Sequence, residues 1–345
     1  MAIECILAAM DGMTHAAFRS ICFEYGAHGA STEMIPAISY ARARKKRMPT
    51  FESLLMRRPE ETGFLAAQII GAVPEDMSAA ARRLEELGRF DAIEINMGCP
   101  ARKVVGSGNG SALLNDPEKA GEILRAVCES VQLPVRLKMR LGWDENHITA
   151  PEIARMAEDA GCSEIILHGR TRSQMYTGQV MLEHMRRVRD CVSIPVYANG
   201  AVHDAASAIE FAKAFDCDKI CIGRAALKMP WIFDDIRCLQ EGRPVPLRHA
   251  EERVGVLMRF AQRMCLLKPE EFAVCEIRKF CRWYLSGLTG ADECTKKLYA
   301  AQTLSDFLSI LEDYLDSLIR TNDTCFHPEL QEAHTLDTVR WFTAF

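Results

Sequence analysis

Apolar residues recur along the chain in blocks of strand length, at residues 4–9, 28–33, 64–70, 92–96, 134–140, 164–168, 195–199 and 219–223. Several are nearly continuous runs rich in Ile and Val, the pattern of a strand covered on both faces. Segments of helical spacing lie between them. Residues 76–87 open on an acidic cap and stop at Gly88. Asp116-Pro117 places Asp at an N-cap and Pro at the first helical position. Residues 151–160 stop at Gly161, and 204–215 follow the loop 199–203. Strand–helix alternation repeated eight times predicts a closed (β/α)8 TIM barrel, of class α/β. The alternative, a doubly wound open sheet, would carry G-x-G-x-x-G directly after its first strand. That position here reads Ala8-Ala9-Met10-Asp11-Gly12-Met13-Thr14.

The pattern changes after Arg243-Pro244. From 248 onward the spacing is helical, clearest at 251–267, 272–285 and 296–319. Two units are expected: a TIM-barrel catalytic domain over 1–243 and a small all-α domain over 244–345, bounded by Pro244 and Pro246.

Composition narrows the classes. With 345 residues, 48% hydrophobic and 26% charged, the chain is globular rather than disordered. A net charge of −5 excludes a uniformly basic nucleic-acid coat but leaves room for a local patch. The 14 cysteines include no C-x-x-C pair, so no metal or iron–sulfur spacing is present and no metal is expected. A disulfide framework does not suit this size, so a reducing cytoplasm is expected. No Lys or Arg precedes Arg19, as a signal peptide would require, and no apolar run reaches the roughly 20 residues of a membrane span. A cytoplasmic monomer with no membrane partner is the expectation.

In a TIM barrel the site forms where strands end and βα loops begin. The 8–14 segment there is compatible with an ordinary turn or with backbone lying against a flat ligand. Gln68 ends the third strand, and Lys138 lies in Val135-Arg136-Leu137-Lys138-Met139-Arg140. A lysine in an apolar strand commonly snorkels at an end; together with Gln68 it could also point into the mouth and hold negative charge on a reduced ring. The sixth strand ends His168-Gly169-Arg170-Thr171, the seventh Asn199-Gly200 and the eighth Gly223-Arg224. Loops after the last two strands are the usual phosphate site of such barrels, with glycine for close backbone approach and arginine for the oxygens. The fourth strand ends Asn96-Met97-Gly98-Cys99-Pro100, followed by Gly106-Ser107-Gly108-Asn109-Gly110. Cys99, held between Gly and Pro beyond a strand end, is a candidate for chemistry rather than packing.

Taken together, Asn96-Met97-Gly98-Cys99-Pro100 with Gly106-x-Gly108, Lys138, His168-Gly169-Arg170-Thr171, Asn199-Gly200, Gly223-Arg224, and Ile277-Arg278-Lys279 with Trp283-Tyr284 resemble the tRNA-dihydrouridine synthases in kind and order. The resemblance runs over nearly the whole chain. It implies an FMN enzyme that reduces the C5=C6 bond of a tRNA uridine, re-reduced by NADPH or NADH. It further implies that Ala9, Met10 and Asp11 line the flavin, and that Gln68, Lys138 and His168 contact its ring or ribityl chain. Asn199, Gly200, Ala201, Gly223 and Arg224 would hold its phosphate. Asn96, Cys99 and Arg170 would serve the target base, with Cys99 as proton donor. Ala9 stands where the family has Pro, and Ala201 where it has Asp.

A uridine of the tRNA D-loop must leave its stack to enter a barrel mouth, so phosphate contacts elsewhere must offset a cost of a few kcal/mol. Arg42, Arg44, Lys45, Lys46 and Arg47 form a basic run after the second strand, and Arg278, Lys279 and Arg282 a second cluster in the helical domain. Both are expected to face the RNA. Two other readings remain at this point. A small-molecule FMN barrel oxidoreductase acting on a free pyrimidine or enoate would share the barrel and the thiol. A non-catalytic RNA-binding protein would need neither Cys99 nor Lys138.

Overall fold

The computed structural model describes residues 2–330, apart from the side chains of Lys45, Pro49, Thr50 and Glu329. Strand β1 (Glu4–Leu7) pairs in parallel with β2 (Gly29–Ser31) on one side and β8 (Lys219–Ile222) on the other. The ladder continues from β2 through β3 (Phe64–Ile70), β4 (Ala92–Met97), β5 (Val135–Arg140), β6 (Glu164–His168) and β7 (Val196–Asn199) to β8. All pairs are parallel and the sheet closes on itself, so the chain folds as a TIM barrel. A two-residue strand, Ile35–Pro36, joins the end of β3 and was not expected.

Alternation along each strand divides the residues. Ile93, Ile95, Leu137, Met139, Ile165 and Leu167 face outward and are fully buried under the helices. The inward set is mixed. Ile6, Ala8, Ile166, Tyr197 and Cys221 form an apolar cluster of their own. Ser31, Gln68, Glu94, Asn96 and Arg136 fill the other side with buried polar groups.

Helices start where the sequence caps them. The Asp116 side chain accepts from Lys119 N at 3.1 Å, and Asp204 closes a capping box with Ser207. The segment read as one helix over 296–319 is two, Ala291–Ala300 and Leu304–Arg320. Thr303 breaks it, because its hydroxyl accepts from Asp306 N at 3.1 Å and caps the second helix.

After β8 the chain is helical. Helices Ala250–Cys265 and Glu270–Leu285 pack across the first barrel helix, Ala16–Glu24. Phe18 stands 5.7 Å from Phe260 and 5.9 Å from Phe280, ring centre to ring centre. This contact is aromatic core rather than a polar seam. Among the described residues no helix is long and apolar enough to cross a membrane.

Beneath this contact lies a fully buried ion pair. Arg19 Nε meets Glu61 Oε1 at 2.5 Å with neither side chain exposed. The guanidinium also donates to Thr14 O at 2.7 Å and Met56 O at 2.6 Å. Removing one member of such a pair strands the other charge. Glu61→Ala should therefore cost about 3 kcal/mol of folding free energy, read as a lowered denaturation midpoint in urea.

Candidate active site

At the C-terminal end of the strands the barrel opens into a cavity of about 500 Å³, within the size range of small-molecule sites. Its floor is Gln68, Asn96, Lys138, His168 and Asn199, one residue from each of five strands. The first loop supplies Ala9, Met10 and Asp11, and the wall opposite supplies Gly200, Gly223 and Arg224. Glu276 and Lys279 reach the rim from helix Glu270–Leu285, so the helical segment completes the mouth. Lys103, Lys138, Arg140, Arg224 and Lys279 outnumber the carboxylates Asp11 and Glu276, which gives the cavity a positive lining.

Cys99 sits on the rim with its backbone held from both sides. Its N–H donates to Asn96 Oδ1 at 3.0 Å, as does that of Gly98. Its carbonyl accepts from Ser111 N at 3.0 Å and Ser111 Oγ at 2.9 Å. Pro100 restricts the backbone of Cys99, the residue before it. Gly110 turns the loop back with φ +59°, and a Cβ there would stand 2.8 Å from Cys99 O. Burial pushes the Cys99 thiol up, while the backbone N–H of Ala101, and after it Arg140 and Lys138, pull in the opposite direction.

Asn96 is itself held. Its Nδ2 donates to Gln68 Oε1 at 2.7 Å, and Gln68 Nε2 donates to Glu94 Oε1 at 2.5 Å. Lys138 Nζ donates to Asn199 Oδ1 at 3.0 Å, and Asn199 Nδ2 is turned to Cys221 O at 2.7 Å. Desolvation, then Arg140, pull the Lys138 ammonium below its usual range. Burial first, and then Arg140, Lys138, Arg170 and Arg224, hold the His168 ring neutral. Arg170 Nη1 lies 3.3 Å from His168 Nε2; an arginine only donates, so Nε2 accepts and the ring proton is on Nδ1.

The structure separates the expected site residues into groups. Ala9, Met10, Asp11, Gln68, Asn96, Cys99, Lys138, His168, Asn199, Gly200, Gly223, Arg224 and Lys279 converge on the cavity. Ala201 and Arg170 do not line it. Arg170 lies behind His168, donating to Gly200 O at 2.6 Å and Gly178 O at 2.8 Å. Arg42, Arg44, Lys46 and Arg47 do not line the cavity either. Arg42 pairs with Asp76 through two bonds of 2.9 Å, and Arg44 and Lys46 are exposed. The Lys45 side chain lies outside the described residues. Arg278 donates to Ala301 O within the helical segment, and Arg282 lines two smaller surface cavities instead.

Several cavity residues escaped the sequence reading, among them Lys103, Arg140, Tyr176 and Glu276. Arg140 follows Arg136 and Lys138 at a spacing of two, so strand alternation could have found it. Its guanidinium donates to Gly98 O, Thr171 O and Met175 O, at 2.9, 2.9 and 2.6 Å, and desolvation pulls it down to about 10. Tyr176, 5.2 Å from Arg140 and 4.9 Å from Arg224, comes from a loop without periodic signal.

A family model described as dihydrouridine synthase matches residues 6–319. The tRNA-dihydrouridine synthase B of Pseudomonas aeruginosa is 38% identical over 290 residues, covering 84% of this chain and 85% of that one. Its counterpart in Klebsiella pneumoniae is 36% identical over 313 residues, covering 90% and 96%. A solved structure of 6-hydroxypseudooxynicotine amine oxidase from Pseudomonas geniculata superposes with a TM-score of 0.53 at 12% identity, over 74% of this chain and 50% of that one. That likeness is one of fold, and the chain spans half the length of that structure.

The raised thiol has a measurable consequence. Iodoacetamide reacts with thiolate, so alkylation of Cys99, followed by peptide mass spectrometry, should reach half its limiting rate above the ordinary thiol range of about 8.5. A midpoint at or below that value would show that the Ala101 N–H and the nearby cations together outweigh burial.

Proposed function

Because the chain belongs to the dihydrouridine synthase family, we propose that it reduces the C5=C6 bond of a D-loop uridine in tRNA, with FMN in the barrel mouth and NADPH or NADH as the source of electrons. The observation that carries the reading is a clamped thiol on the rim of a cation-lined cavity.

The residues present fit FMN. A flat conjugated ring suits a floor of amides with Lys138 at its edge, and a phosphate monoester suits Arg224 beside two glycines. An added Cβ at Gly200 would stand 2.7 Å from the His168 ring, so the packing there admits no side chain. Gln68, Lys138, His168 and Asn199 would hold the ring and its chain, and Gly200, Gly223 and Arg224 the phosphate. When bound, FMN supplies a hydride to C6 of the uracil.

The protein then supplies the proton for C5. Cys99 keeps its proton at neutral pH because burial raises the thiol, so Sγ–H is available as the acid. The thiolate left behind lies in the field of Arg140 and Lys138, and solvent reprotonates it. Asn96 offers its amide to the base while fixing the Cys99 backbone. Glu276 and Lys279 bring the helical segment to the mouth, which favours a large substrate gripped by both parts over a free pyrimidine. Positive charge for RNA phosphates is available at Lys279 on the rim and at exposed Arg44 and Lys46.

Two experiments test this reading. Cys99→Ala should retain flavin with the mass of FMN and accept electrons from NADPH, yet form dihydrouridine roughly 10²–10⁴-fold more slowly. Wild-type dihydrouridine formation would remove Cys99 as the donor. Arg44→Ala with Lys46→Ala should weaken tRNA binding and flatten its salt dependence, by about one counterion for each phosphate no longer neutralised. Unchanged affinity across a salt series would show the run to be a solvated loop.

A further inference from the structure

The hydrogen-bond chain beneath the thiol has a direction, and a residue outside the cavity sets it. Glu94 is 1% exposed and does not line the mouth. One of its oxygens accepts from Ser31 Oγ at 2.9 Å and the other from Gln68 Nε2 at 2.5 Å. Arg136 stands 3.8 Å away. A carboxylate facing a guanidinium only accepts, so the Gln68 amide must turn its NH2 downward. The reversed amide would set two oxygens against each other at bonding distance. Gln68 Oε1 then points up and only accepts, so Asn96 must present its Nδ2. That leaves Asn96 Oδ1 for the N–H groups of Gly98 and Cys99. Glu94 from below and the N–H groups of Gly98 and Cys99 from above demand the same orientation, and burial shields the chain from water that could substitute for a partner.

We infer that Glu94 is a positioning residue for Cys99. Through Gln68 and Asn96 it fixes the backbone that presents the thiol to the target base. Its consequence for turnover rests on Cys99 being the proton donor; its effect on Cys99 itself does not.

The inference predicts how two variants differ. In Glu94→Gln the charge at the foot of the chain is lost, and a neutral amide holds Gln68 less firmly than a carboxylate does, which loosens Gln68 and, through it, Asn96. Arg136 is not stranded, since Glu164 holds it at 2.7 Å. The double variant Glu94→Gln, Asn96→Asp runs the chain in reverse. The carboxylate at 96 accepts from both N–H groups and from Gln68 Nε2, while Gln68 Oε1 faces a donor at 94.

In the protein as purified, the limiting rate of Cys99 alkylation at high pH should change several-fold in the single variant, with exposed Cys275 as internal control. Using the high-pH limit separates thiol placement from thiol acidity. The double variant should return that limit to near the unmodified value. Single-turnover dihydrouridine formation by the single variant should fall by about 10-fold or more, a displacement of 1 Å being worth up to about 10². KM for tRNA, set mainly by phosphate contacts away from the chain, should change less than this rate. Unchanged alkylation in the single variant, or a double variant no closer to the unmodified protein than the single, would overturn the assignment. Should the single variant fail to fold, the double variant decides alone: a near-normal limit supports the inference and an altered one refutes it. If Cys99→Ala still forms dihydrouridine, the donor reading fails while the alkylation measurements continue to judge Glu94.

Discussion

Three cations point into the barrel from one strand. Alternation on β5 turns Arg136, Lys138 and Arg140 inward together, and burying three positive charges in a closed barrel is the constraint around which the interior is arranged. Each is met differently. Arg136, at the bottom, has Glu164 and Glu94 and lies over the rings of Phe64 and Tyr197, at 5.0 and 5.4 Å. Lys138, in the middle, has only the neutral oxygen of Asn199. Arg140, at the top, is held by three backbone carbonyls. Charge is compensated at the bottom and left uncompensated toward the mouth. An anionic ligand therefore finds an electrostatic gradient already in place.

The same three levels divide the labour of the site. The lowest supplies the carboxylate that orients the amides. The middle supplies the amides and ammonium that face a ligand. The highest ties two loops together, since Arg140 bonds to Gly98 in one and to Thr171 and Met175 in the other. The thiol loop is thus referenced to the barrel through its amide ladder and to the neighbouring loop through Arg140. Such double fixing suits a proton donor, whose contribution depends on distance and angle.

Much of this was legible in the chain because it follows from period and punctuation. Runs of Ile and Val set the strands, Asp116-Pro117 and Asp204 set helix starts, and glycines with polar residues at strand ends located the cavity floor. What holds Arg170 and Arg42 was not legible, for one reason. An arginine's function depends on which acceptor it reaches, and Gly178 O, Gly200 O and Asp76 are distant in sequence or offer no local pattern. Glu94 was invisible for another: inside an apolar strand its role exists only through Gln68, 26 residues earlier, and Ser31, 63 residues earlier. The division of 296–319 was a capping signal overlooked, Thr303 with Asp306.

The helix Ala16–Glu24 is buried on every side, from Ala16 to Phe23. An outer helix of a barrel ordinarily keeps one face in water; this one has its outer face covered by helices more than 230 residues later in the chain. During synthesis, at about 5–20 residues per second, Phe18 and Ile21 leave the ribosome well before Phe260 and Phe280 exist. For that interval, on the order of tens of seconds, the first helix carries an apolar face with nothing to cover it. β1 likewise waits for β8 before the sheet can close. The first helix of the nascent chain thus depends on being shielded, and its burial is tied to emergence of Ala250–Cys265 and Glu270–Leu285.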